Sequence, residues 1–190
     1  MSRICVIFAC LAVLAGLLPA TELIVNGSFE QTLDQGWTDT VVGSTGFGMF
    51  ERTDTMGCGT GCAARVYKTL ASYAALGQTV IIPNVNLTFN FDGRFRLAGG
   101  SSTCWPVAAI FLRYQDAAGN DLATTKFALH NEFCSWGNND TAHIVEIENP
   151  EVWGHHTLDI AQEISNHLPG LNAADVVQIQ VQIYSYDNGT

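Results

Sequence analysis

Leu87-Thr88-Phe89-Asn90-Phe91-Asp92-Gly93-Arg94-Phe95-Arg96-Leu97 alternates apolar and polar residues almost without a break. Successive strand side chains point to opposite faces, so Leu87, Phe89, Phe91, Phe95 and Leu97 share one face. Thr88, Asn90, Asp92, Arg94 and Arg96 share the other. Gly93 falls in the apolar register, the place for a bulge. The same pattern returns near the C-terminus, where Val177, Ile179, Val181 and Ile183 alternate with Gln178, Gln180, Gln182, Tyr184 and Tyr186. Both read as half-buried strands with a strongly polar outer face.

Working outward, further strands are expected at Leu23 to Val25, Ala64 to Lys68, Gln78 to Ile82, Val107 to Tyr114, Leu122 to Leu129 and His143 to Ile147. Asp116 to Asp121 is the hairpin loop between two of them. The one helix expected is short, from Ile160 to Leu168, and Pro169-Gly170 ends it. Short strands punctuated by turns, with scarcely any helix, predict an all-β fold: a two-sheet antiparallel β-sandwich.

Residues 1 to 20 have the form of an export signal, with Arg3, an apolar run from Ile4 to Leu18, then Pro19-Ala20. The run is too short to span a bilayer, so a secreted chain of residues 21 to 190, free of the membrane after cleavage, is expected as one domain. The full sequence has 8 basic and 18 acidic residues, a formal charge of −10. Nucleic-acid readers concentrate basic residues to displace phosphate counterions, and this balance argues against such a partner.

Cys5 and Cys10 lie in the signal, which leaves Cys58, Cys62, Cys104 and Cys134. An even number in an oxidising compartment predicts two disulfides. Three pairings are open, and Cys58–Cys62 with Cys104–Cys134 is the most economical. Asn26, Asn86, Asn139 and Asn188 each open an Asn-x-Ser/Thr triplet, a glycan acceptor where the secretory pathway is eukaryotic.

The opening Glu22-Leu-Ile-Val-Asn26-Gly27-Ser28-Phe29-Glu30, with Gly36-Trp37 after it, resembles the start of galactose-binding-like jelly-roll modules. These include bacterial carbohydrate-binding modules of the CenC type, often appended to cellulases and xylanases. Tyr73 to Pro83 running into the Phe89 strand, and Trp153 to Ile160 followed by Val176 to Tyr184, are similar to the family's middle and late segments in the same order. The resemblance implies a jelly roll, a carbohydrate ligand, and a structural Ca²⁺ held in part by the carboxylate at the position of Glu30. The family closes with a further strand bearing paired acids, whereas this sequence stops at Asp187-Asn188-Gly189-Thr190. On the resemblance, either the sequence is a fragment or that strand is missing. The four cysteines and the stretch from Cys104 to Trp136 are not general features of the group.

Sugar sites combine planar polar side chains, which bond hydroxyls directionally, with aromatic rings that cover the apolar face of a pyranose. Asn90, Asp92, Arg94 and Arg96 on one strand, and Gln180, Gln182 and Tyr184 on the other, offer such a set. A Cys104–Cys134 bridge would bring Trp105 and Trp136 together as a rigid rim. Three readings stand beside one another: a carbohydrate-binding module, a structural or adhesive sandwich, and a jelly-roll hydrolase or lyase. No motif places a catalytic carboxylate pair, and the neighbours His155 and His156 point to opposite faces of a strand, which speaks against a shared metal.

Overall fold

The computed structural model describes residues 22–43, 45–54, 61–70, 72–98, 102–103 and 105–188. The expected signal segment, Cys58 and Cys104 lie outside the described residues. Among the described residues are ten strands, one α-helix and a short 3-10 turn at Ala173–Asp175: β1 (Thr38–Val42), β2 (Gly48–Thr53), β3 (Ala63–Lys68), β4 (Ser72–Ile81), β5 (Thr88–Gly93), β6 (Val107–Gln115), β7 (Asp121–His130), β8 (Ala142–Glu146), β9 (Gly154–Asp159), α1 (Ile160–His167) and β10 (Gln178–Asp187). Six of them form one sheet in the order β1-β4-β10-β6-β7-β8, while β2–β3 and β5–β9 are separate two-stranded pairs.

Sheet register shows how the layers meet. Ile179, Val181 and Ile183 of β10 lie opposite Tyr114, Leu112 and Ile110 of β6, and Leu112 lies opposite Thr125 of β7. These residues share the inner face, where Leu112 and Tyr114 are wholly buried. Phe89, Phe91, Phe95 and Leu158 from the β5–β9 side, and Phe50, Ala64 and Val66 from β2–β3, pack onto the same core. Phe91 meets Phe127 edge to face, with ring centroids 5.0 Å apart. The molecule is therefore a β-sandwich, as the alternation predicts.

Four details differ from the sequence reading. The second layer is two strand pairs instead of one continuous sheet. β8 runs parallel to β7, so the sheet is not wholly antiparallel. Leu23 to Val25 is not a strand: the buried Gln78 amide takes the place of a partner strand, accepting from Val25 N at 2.7 Å and donating to Val25 O at 2.9 Å. A side chain thus satisfies backbone groups that a ladder would otherwise serve.

Gly93 is no bulge either, since it stays in register opposite Gly154. A Cβ there would come within 2.8 Å of the Phe91 ring and 2.9 Å of the Phe95 ring, so the position is small because two aromatic side chains close over it.

Helix α1 begins where expected. Asp159 caps it by accepting from Gln162 N at 2.9 Å, and Leu168 and Leu171 bury themselves under the sandwich end. At the same end, the Tyr114 hydroxyl lies 3.0 Å from Thr125 Oγ1, which donates to Glu163 Oε1 at 2.7 Å.

Leu112 sits at 0% exposure in the middle of the central sheet. Leu112→Ala removes buried methyls and leaves a cavity, so chemical denaturation should show a loss of about 2–5 kcal/mol in unfolding free energy. A loss within about 0.5 kcal/mol would mean that this layer is loosely packed.

Candidate functional site: the outer face of the six-stranded sheet

Because side chains alternate, the residues between the core positions of β4, β10, β6 and β7 point outward together. One row across the strands reads Thr38, Gly77, Gln182, Phe111, Lys126 and the next reads Thr40, Ala75, Tyr184, Ala109, Ala128. Glycine and alanine on β4 leave a trough between the threonines of β1 and the long side chains of β10. It has a volume of about 370 Å³ and is lined by Gly36, Thr38, Thr40, Gly77, Gln78, Thr79, Gln180 and Gln182.

Gln182 is held in a fixed orientation. Its Oε1 accepts from Arg113 Nε at 2.8 Å, and Arg113 Nη1 in turn donates to Asp121 Oδ2 at 2.6 Å. Asp121 Oδ1 also accepts from Gln115 Nε2 at 2.8 Å, which fixes the carboxylate. With the carbonyl end of Gln182 anchored, its Nε2 lies over Gly77 at the trough floor, 3.7 Å from where a Cβ would stand. The amide donors therefore face the trough already oriented, with less rotamer freedom left to lose on binding.

One end of the trough runs onto an aromatic plate. Tyr184 stacks on Tyr73 at 5.1 Å and lies 4.6 Å from Phe111. Trp136 packs on Phe111 at 5.6 Å and Trp105 on Tyr186 at 5.1 Å. Lys126 Nζ sits 4.4 Å from the Trp136 ring centroid, a cation–π contact. Burial, and then the charge of Arg113, hold that ammonium below its ordinary pKa. Val107, Ala109, Phe111, Ala128, Cys134 and Ile144 form a second small core beneath this plate. Asn188 anchors the edge, accepting from Trp105 N at 2.8 Å and donating to Thr103 O at 3.0 Å.

Gln180, Gln182, Tyr184, Trp105 and Trp136 are thus brought to one face. Asn90, Asp92, Arg94 and Arg96 are not. Their strand β5 buries Phe89 and Phe91 against the inner face of the sheet, so its polar side chains leave from the opposite side of the sandwich. There Asp92 pairs with His155 at 3.0 Å, Arg94 lies 5.8 Å from the Trp153 ring and Arg96 pairs with Glu151 at 3.7 Å. Period-two patterning assigns each strand its two faces but cannot say which outer faces coincide. His156 turns inward and stacks on Phe91 at 4.7 Å, where burial lowers its pKa. The adjacent histidines therefore do face opposite ways.

The expected bridges are not formed by the two cysteines described. Cys62 and Cys134 are free thiols. Cys62 Sγ accepts from Arg52 Nη2 at 2.8 Å beside Glu30, while Cys134 lies in the second core, where burial raises its pKa. Trp105 and Trp136 are positioned by Tyr186 and Phe111 instead of by a bridge.

Nor does the loop at Glu30 fit calcium. Arg52 donates to the Phe29 carbonyl at 2.7 Å and to the Glu30 carbonyl at 3.0 Å, and the Glu30 carboxylate accepts from Cys62 N at 3.3 Å. A guanidinium already occupies the backbone oxygens a hard cation would need.

Thr38, Thr40, Gly77, Thr79, Arg113, Asp121 and Lys126 were not legible as site residues. Arg113 and Asp121 signal themselves only through their place in adjacent strands. Another set emerges at the α1 end: His143, Glu163 and His167 place their ligand atoms within 4.8 Å of one another. The i, i+4 spacing of Glu163 and His167 on a helix was its one visible trace.

No protein-family model matches the chain, and no curated protein matches it. Among solved structures, one described as the structural basis for the promiscuous specificity of carbohydrate-binding modules from the β-sandwich superfamily is similar. It has a TM-score of 0.45 and 11% sequence identity over 90% of this chain and 62% of that chain. This chain thus spans less than two thirds of that structure's length.

Burial pushes the phenols of Tyr114 and Tyr184 well above the ordinary tyrosine pKa near 10. A raised folded-state pKa means that the unfolded chain ionises first, so stability should be full below pH about 10 and fall as pH rises past it. Alkaline denaturation should show that fall, and Tyr184→Phe should reduce its slope. An unchanged slope would mean that the Tyr184 phenol is solvated.

Proposed function

We propose that the chain is a secreted, non-catalytic carbohydrate-binding module that takes a neutral glycan in the trough of the outer face. The observation that carries this reading is the oriented Gln182 amide over Gly77, flanked by Thr and Gln side chains and continuous with the Tyr184 plate. Hydroxyl and amide groups match the hydroxyls of a sugar, and the aromatic plate offers a surface for the apolar face of a pyranose. The residues lining the trough include no carboxylate. That supports binding without glycoside hydrolysis, which needs two carboxyl groups across the scissile bond. Secretion is part of the proposal and rests on the signal-like residues 1 to 20.

A second reading, an adhesive sandwich, is favoured by one observation. Val41 and Val42 are both more than 40% exposed on edge strand β1, whose five residues are exposed throughout. Exposed valines along an open edge suit a protein partner.

Glycan-array screening followed by calorimetry tests the first reading. The chain should bind a neutral polysaccharide, and Gln182→Ala with Tyr184→Ala should weaken binding at least tenfold, a loss of about 1.4 kcal/mol. Arg94→Ala, on the far side, should leave affinity unchanged. An array without signal, or a loss caused by Arg94→Ala alone, would overturn the assignment; association lost on Val42→Lys would favour the adhesive reading.

A further inference from the structure

We propose that His143, Glu163 and His167 form a binding site for a transition-metal dication of the zinc class, separate from the glycan face. His143 stands on the inner face of β8, at the sheet edge, opposite Thr125. Glu163 and His167 are one turn apart on α1, and all three offer ligand atoms within 4.8 Å of one another. Two imidazole nitrogens and a carboxylate oxygen are a common donor set for zinc, with further positions left to solvent.

Glu163 is the second observation pointing to a ligand. It is 4% exposed, and burying a carboxylate is costly unless it is paired. Its Oε1 takes both available partners, Thr125 Oγ1 at 2.7 Å and His143 Nδ1 at 2.7 Å. Its other oxygen accepts no hydrogen bond from a described residue. Because the Thr125 proton is directed to Glu163, the Tyr114 hydroxyl donates to Thr125. That chain positions the carboxylate from behind, as outer partners of metal ligands do.

The rings of His143 and His167 are stacked, with centroids 4.0 Å apart and planes 3° from parallel. An ion bound by both must lie near the plane of each, so binding opens the stack. His167 is exposed and free to make that turn.

Calorimetric titration of the full chain with Zn²⁺ after chelator treatment tests the site. One equivalent should bind, weakened at least tenfold by His167→Ala, whose exposed side chain leaves the core intact, and by Glu163→Gln. His155→Ala should have no effect. Co²⁺ substitution should give a nitrogen and oxygen ligand-field spectrum without thiolate charge-transfer absorption. Absence of one-to-one binding, equal affinity in His167→Ala, loss in His155→Ala, or a thiolate band would each overturn the proposal.

Discussion

The insertion of the last strand, β10, between β4 and β6 is the constraint on which both faces of this sandwich depend. Its odd-numbered residues Ile179, Val181 and Ile183 complete the core, and its even-numbered residues Gln180, Gln182 and Tyr184 build the outer face. A shift of one residue would exchange the two sets, driving glutamines into the core. Register is therefore fixed strongly by burial, and the candidate site inherits its geometry from that register. The core and the candidate site share one strand.

The outer face is unusual in carrying a second packed layer of its own. Phe111, Val107 and Ile144 would be exposed apolar residues on an ordinary one-sided sheet; here Trp105, Trp136 and Cys134 cover them. Lys126 lays its charged end over Trp136, so the plate keeps a polar margin. The result is a rigid aromatic surface beside a trough whose amides are held by the Asp121–Arg113–Gln182 chain. Cation and carboxylate neutralise each other within that chain, which leaves hydrogen-bonding groups without net charge to face a ligand.

Much of this was legible in the sequence wherever one face of a strand is buried. The alternation in β5 and β10, the hairpin at Asp116 and the short helix ended by Pro169-Gly170 all follow from local pattern. β1 was not legible, because Thr38-Asp39-Thr40-Val41-Val42 is exposed along its whole length and leaves no contrast to read. The strand expected at Leu23 failed because a distant glutamine replaced the ladder. The split of Asn90, Asp92, Arg94 and Arg96 from Gln180, Gln182 and Tyr184 is a fact of layer order, which no single strand encodes. Number and setting alone predict bridged cysteines, whereas the two described are held by Arg52 and by the second core.

The central proposal is that glycan recognition lies on the outer face of the six-stranded sheet and not on the β5–β9 side. NMR chemical-shift mapping with a bound neutral oligosaccharide tests it most directly. The account predicts perturbations confined to Thr38, Thr40, Gly77, Gln180, Gln182, Tyr184 and their neighbours. Perturbations centred instead on Asn90, Asp92, Arg94 and His155, across the β5–β9 pair, would contradict it.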